Sequence, residues 1–229
     1  MMLFQTVAAA FALLWSGDPT LWRIVWISLS TTGVALLLAT PVAVGLGYLI
    51  ASRVFVGRRT VIWLTQVSLS LPTVLIGLLL YLLLSRHGLA GGLHWLFAQP
   101  ALVLGQVLIA LPVLVAFTLA AVQVADPILA ETATTLGASK WRVMATVLHE
   151  VRFGVMAAIV SGFGRVISEV GCALMVGGNI AGETRTITTA IALETSKGDF
   201  AQGIALGAVL ILLALVVNGG LLLLQGDVR

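Results

Sequence analysis

The chain has 229 residues, 60% of them hydrophobic and only 9% charged, against about 25% charged in an ordinary soluble domain. That composition leaves too little polar cover for a water-facing surface, so a soluble fold is excluded and a bilayer is the solvent that fits. The formal charge of +3 is too small and too scattered for a nucleic-acid footprint, and a single cysteine, Cys172, excludes an internal disulfide and a cysteine-based metal cluster.

The first basic residue is Arg23, so the apolar run Val7–Trp15 lacks the basic flank of a secretory signal. It is also shorter than the ~20 residues a helix needs to cross the hydrocarbon core. Residues 1–23 therefore read as an interfacial or elbow segment, with Trp15, Trp22 and Trp26 near headgroup level. Fusing this run to the next apolar stretch would give a sixth crossing; Asp18-Pro19 argues against that, because the residue before proline tends to leave the helical region.

Residues 24–229 hold five apolar windows: Ile24–Ala51, Val61–Leu84, Ala101–Val124, Phe153–Val176 and Gly203–Leu224. Each is long enough to span with some tilt. Ala35, Ala39, Ala43 and Gly47 put small residues on one face of the first, where another helix can approach closely. Gly203 and Gly207 make a weaker pair of the same kind in the last. Pro41, Pro72 and Pro112 sit inside three windows and are expected to kink them or mark unwound turns. Cys172, in an apolar stretch, reads as a small packing residue.

Basic residues in the loops orient the spans. Arg53, Arg58, Arg59, Lys140, Arg142, Arg152 and Arg229 fall on one side, and Arg23, Arg86, Arg185 and Lys197 on the other. The first group is expected to be cytoplasmic, with the N-terminus outside.

Between the third and fourth windows lies a long polar loop, residues 126–152, reading DPILAETATTLGASKWRVMATVLHEVR. Asp126-Pro127 is a helix start, with proline in the first turn. Gly137 suits a left-handed cap, and Ser139 could cap a second helix from Lys140. The expectation is helix, glycine turn, helix on the cytoplasmic face; the plainer reading is a solvated loop with ordinary caps. The stretch resembles the coupling loop of binding-protein-dependent ABC importer permeases. Glu131 and Ala133 match that family's Glu-Ala-Ala start, with Thr132 in the middle, and Gly137, Ala138, Ser139, Trp141 and Arg142 match its centre. Val147-Leu148-His149-Glu150 departs from the family's Ile-x-Leu-Pro ending. The resemblance implies an all-α integral membrane protein with about five transmembrane helices, of the molybdate/methionine permease-like type. It assigns these residues to coupling with a separate ATPase. The chain itself has no GxxxxGK[S/T] phosphate-cradling loop, and no cofactor or catalytic residue is expected in it.

The second polar concentration lies in and after the fourth window. Arg165 and Glu169, four residues apart, fall on one face of the expected helix. A lone charge costs about 2.5–3.5 kcal/mol on insertion scales, so such residues face the bundle interior and pair. They read either as a helix-to-helix clamp or as part of an anion path. Asn179 follows the Gly177-Gly178 helix end, and Thr186, Thr188 and Thr189 surround Arg185. Their hydroxyls could replace an oxyanion's hydration, or simply sit at the surface. Thr186–Ser196 is expected to form a short surface or re-entrant helix, with Glu194, Lys197 and Asp199 toward water or a docked binding protein.

GFGRVISEVG followed by VGGN resembles the signature of the molybdate, tungstate and sulfate importer permeases, and NIAGETRTITTAIALETSKGDF is closest to the tungstate type. The resemblance implies a homodimer in the cytoplasmic (inner) membrane with two cytoplasmic ATPase subunits, an extracytoplasmic binding protein and an oxyanion substrate. An ATP-independent secondary anion transporter is the alternative, though the halves show no evident inverted repeat. An intramembrane hydrolase is disfavoured, since His87, His94 and His149 all lie in loops.

Overall fold

The computed structural model describes Ala12 and residues 15–225. Apart from Ala12 and Trp15, the expected elbow run Val7–Trp15 lies outside the described residues. The described elements are helical: α1 (Pro19–Ser52), α2 (Arg58–Leu69), α3 (Thr73–Leu84), a 3-10 turn (Gly91–Leu93), α4 (Gln99–Val124), α5 (Pro127–Thr135), α6 (Lys140–Glu150), α7 (Arg152–Ile167), α8 (Gly171–Gly177), α9 (Ile187–Lys197) and α10 (Phe200–Gln225).

Helix α1 starts where the sequence breaks: Pro19 occupies the first helical position and the Asp18 carboxylate accepts from the Thr20 N–H at 3.1 Å. Its small-residue stripe is an interface. Ala35, Ala39 and Ala43 are fully buried, and a Cβ on Gly47 would come within 2.8 Å of the Thr118 Cβ on α4. Cys172 is buried, its sulfur 2.7 Å from where a Cβ on Gly105 would stand. By contrast a Cβ on Gly203 would meet only the Thr195 Oγ1, at an ordinary 3.5 Å, and nothing lies within 4 Å of one on Gly207, so the pair forms no comparable seam among the described residues.

The contacts also settle how the chain threads. Near the start of α1, the Arg23 Nε donates to the Gly182 carbonyl, and near the start of α4 the Gln99 amide donates to the neighbouring Glu183 carbonyl. The far ends meet at Gly47 and Thr118. Helices α1 and α4 therefore run parallel, which requires the chain between them to traverse the bundle once. Helix α7 runs the other way, with Gly154 against Ala121 and Gly162 against Leu114; α8 continues the line, with Cys172 against Gly105 and Gly177 against Leu102. From Ala121 to Leu102 is about 28 Å of helix, close to the hydrocarbon thickness. So α7 and α8 together make one crossing. With α1, the α2–α3 pair, α4 and α10, the described residues hold up to five candidate spans.

Two of the expected windows are not continuous helices. Val61–Leu84 is split into α2 and α3, bent by 96° at Ser70–Pro72, because Pro72 cannot donate to the helix ladder and turns Leu71 out of it. Phe153–Val176 is split at Ser168–Val170. Helices α1 and α4 stay helical through Pro41 and Pro112, so no unwound turn forms there. The buried neighbours Ala39 and Ala43 hold the chain on both sides of Pro41.

Helices α9 and α10 form a second, smaller core with α1: Ile187, Ala190, Ala205 and Leu206 are fully buried against Leu21, Ile24 and Val25. The chain enters α9 through Thr186, whose hydroxyl accepts from the Thr189 N–H while the Thr189 hydroxyl accepts from the Thr186 N–H at 2.9 Å. Glu194 does not face water: it is buried, and Lys197 Nζ reaches its carboxylate at 3.0 Å. The reason is that α9 folds back on α10, with the turn held by the Asp199 N–H on the Glu194 carbonyl at 2.9 Å.

Candidate coupling hairpin and membrane break

The loop over 126–152 folds as an α-helical hairpin. The Asp126 carboxylate accepts from the Ile128 N–H at 2.9 Å to start α5. Helix α5 ends in a Schellman turn: the Ala138 N–H reaches back to the Ala133 carbonyl and the Gly137 N–H to the Thr134 carbonyl, both at 3.0 Å. Gly137 carries φ of 80°, which a side chain with a Cβ adopts only with strain. Ser139 stands at the N-cap of α6, but its hydroxyl makes no capping bond; backbone geometry alone starts that helix. The hairpin then turns by 74° into α7 at Val151.

Glu131, Gly137, Ser139, Trp141 and Arg142 are exposed, while Ala133 and Ala138 are half-buried. Among polar neighbours the hairpin also bares large apolar groups: Ile128 is 64% exposed, Leu136 82% and Trp141 76%. Beside the hairpin a groove of about 800 Å³ runs along the end of α1, walled by Tyr48, Leu49, Ala130, Trp141 and Met144. The hairpin is attached to the bundle chiefly through α7.

The other expected site residues gather about 20 Å up α7 from Arg152. Arg165 lies in the last turn of α7, and Glu169 sits beyond its end, in the break, not on a continuous helix face. Ser168 contributes to the break by bonding back to the Gly164 carbonyl at 2.8 Å. The Glu169 carboxylate, almost wholly buried, has both oxygens engaged. One accepts from Arg165 Nη1 at 3.1 Å and the other caps α8 through the Cys172 N–H at 3.0 Å. Its main-chain carbonyl accepts from the Thr188 hydroxyl at 2.7 Å. One residue thus ties together α7, α8 and α9. Thr186, Thr188 and Thr189 are buried and bond to one another. Asn179, with φ of 53°, holds the Thr189 carbonyl at 3.4 Å, leaving its side-chain oxygen without a partner.

Arg165 is the exception to this closure. Its side chain is 38% exposed and forms the charged wall of a cavity of about 550 Å³, otherwise lined by groups such as Leu71, Thr73, Ile76, Leu108 and Pro112. Ser68 and Leu69, at the α2–α3 bend, also line it. Sequence reasoning passed over Ser28, whose hydroxyl accepts from the Ile187 N–H at 2.7 Å and so anchors α9 on α1. Its one signal was a hydroxyl in an apolar span.

Among the described residues, a bundle of long apolar helices with an exposed helical hairpin at one end has the architecture of a multi-pass membrane protein. Residues 43–229 match the family model described as the binding-protein-dependent transport system inner membrane component, and the chain belongs to that family. It is 40% identical to a probable anion ABC transporter permease protein of Haloferax volcanii over 82% of this chain and 83% of the relative. It is 36% identical to the tungstate uptake system permease protein TupB of Campylobacter jejuni over 94% and 90%. Identity to the molybdenum transport system permease protein ModB of Haemophilus influenzae is 34%, over 72% and 76%. The fold is shared with a crystal structure of a bacterial ABC transporter involved in the import of the acidic polysaccharide alginate. There the TM-score is 0.74 at 20% identity, covering 96% of this chain and 84% of the other. The chain is a multi-pass permease of the cytoplasmic membrane, in the importer group that includes the tungstate and molybdate systems.

Proposed function

We propose that the chain carries a tetrahedral oxyanion, tungstate ahead of molybdate or sulfate, as one half of a homodimer driven by two cytoplasmic ATPase subunits and fed by an extracytoplasmic binding protein. The observation that carries the coupling role is the α5–α6 hairpin, which bares Ile128, Leu136 and Trp141 beyond the bundle. Such side chains are costly in water, so they favour a protein partner. A short helix docked in a partner's cleft moves as a rigid body when the partner closes, and α7 joins that helix to the break at Glu169. ATP-driven motion on one side would then act on the joint beside Arg165.

At that joint the Glu169 bonds support the clamp reading of Arg165, while its exposure on an apolar cavity supports a second task. An oxyanion crossing hydrocarbon needs a positive partner, but one tight enough to stop it would defeat transport. Arg165 held by Glu169 offers only part of its charge, which suits passage. Thr186, Thr188, Thr189 and Asn179 hold the joint's shape behind it.

Co-expression with the ATPase encoded beside the chain is expected to give a stable complex. Glu131→Lys is expected to abolish uptake while membrane insertion persists, and normal uptake by that variant would remove the coupling role. Labelled tungstate uptake competed weakly by molybdate and hardly by sulfate is the outcome expected for the substrate; equal competition by sulfate would reassign it.

A further inference from the structure

At the end of the bundle opposite the hairpin, Arg23 of α1 and Arg185 of the 178–186 loop line one cleft of about 200 Å³, together with Thr20, Ile24 and Gly182. Among the described residues the ion pairs are Arg165–Glu169 and Lys197–Glu194, so neither guanidinium has a carboxylate within 4 Å, and Glu183 in the same loop is exposed. The nearby Asp18 is engaged on the Thr20 N–H. Arg23 gives its Nε to the Gly182 carbonyl at 3.0 Å, and its two terminal nitrogens have no acceptor among the described residues. Gly182, with φ of 78°, makes room for this: a Cβ there would lie 3.3 Å from the Arg23 Nε. Arg185 reaches the Asn179 carbonyl only at 3.4 Å, and its Nε is buried without any partner.

Two like charges around one cleft repel, and a buried guanidinium N–H without an acceptor is costly. A bound anion removes both costs. Guanidinium forks match the oxygens of a tetrahedral phosphorus group, and two of them call for more negative charge than a zwitterionic headgroup offers. What lies beside the cleft identifies the source. Trp22 and Trp26, flanking Arg23 on α1, are 49% and 70% exposed, and Val34, Leu37 and Leu38 continue an exposed apolar face along the helix. Exposed tryptophans at a span's end mark headgroup level, and the apolar face beyond them suits acyl chains. We infer that the Arg23–Arg185 cleft binds the phosphate of an anionic phospholipid in the leaflet opposite the hairpin. The site ties α1 to the loop that leads into α9, and it does not depend on the transport reading.

The purified chain would be examined by native mass spectrometry in detergent containing equal phosphatidylglycerol and phosphatidylcholine. Wild type is expected to retain phosphatidylglycerol preferentially, and Arg23→Gln with Arg185→Gln to lose that retention about ten-fold, the scale of one charge-assisted hydrogen bond. Arg185→Lys keeps the charge and is expected to keep most of the preference. Equal retention of both lipids by wild type, which needs no variant to fold, would overturn the site. A thermal shift of delipidated wild type by sodium tungstate or phosphate, absent in the double variant and unaccompanied by lipid preference, would assign the cleft to a free oxyanion and overturn the lipid assignment.

Discussion

The α5–α6 hairpin and the α7–α8 break both interrupt the helical run, yet they are built in opposite ways. The hairpin is closed by its own backbone: a Schellman turn at Gly137, a capping aspartate at Asp126 and almost no tertiary bond. The break is closed by other elements, with Glu169 bonded to α7, α8 and α9 at once and Thr188 supplying a hydroxyl from a helix nineteen residues away. Water can satisfy the ends of an exposed hairpin, whereas a chain unwound among apolar helices must have every polar group met by protein. The hairpin therefore stands by its own local bonds, whereas the break depends on its neighbours; in the proposed coupling role the first is the part gripped and the second the joint it acts on.

Substitutions can break or sharpen that contrast. The largest effect is expected for Glu169→Ala, which leaves the half-exposed Arg165 without its carboxylate and the buried Cys172 N–H without an acceptor, the latter alone costing about 1–3 kcal/mol. The check is a fall in thermal stability in detergent together with loss of uptake. Glu169→Gln is expected to lie between, since an amide oxygen can still cap α8 but carries no charge for Arg165. If Glu169→Ala melts like wild type, the joint is not held as described. Next comes Gly47→Ala, which pushes a methyl into Thr118 at the parallel α1–α4 seam. Overpacking of this kind costs on the order of 1–3 kcal/mol, and Gly207→Ala, with open space around it, is the matched control. Smaller in stability is Gly137→Val, which forces a β-branched residue to a positive φ at roughly 1–2 kcal/mol. Because the hairpin barely contributes to the bundle, melting is expected to change little while uptake and ATPase retention fall. The smallest stability effect belongs to Trp141→Ala, within about 0.5 kcal/mol as for other exposed sites, though ATPase retention is again expected to drop.

The same contrast explains which features could be read in the sequence. The hairpin was legible because its rules are local: Asp-Pro to start, glycine to stop, a second helix three residues later. The small-residue stripe of α1 was legible for a similar reason, since spacing alone defines a face. The break was not. Arg165 and Glu169 stand four apart in an apolar run, and helical spacing implies one continuous face. What the spacing does not show is that the Glu169 carbonyl is met by the Thr188 hydroxyl, nineteen residues on, beside the local bonds of Ser168 and Cys172. The crowding of Ser168, Glu169 and Gly171 was a local hint, insufficient alone. Glu194 was misplaced toward water for the same cause: only the return of α9 onto α10 buries it.

The most direct test bears on the hairpin as the part an ATPase holds. A photo-reactive residue at position 141, in membranes where the adjacent ATPase is co-expressed, is expected to cross-link to that subunit, and one at position 26 to give no such product. Cross-linking at neither position, in a complex that still takes up tungstate, would contradict the coupling role, as would labelling of position 141 by an impermeant reagent added outside intact cells.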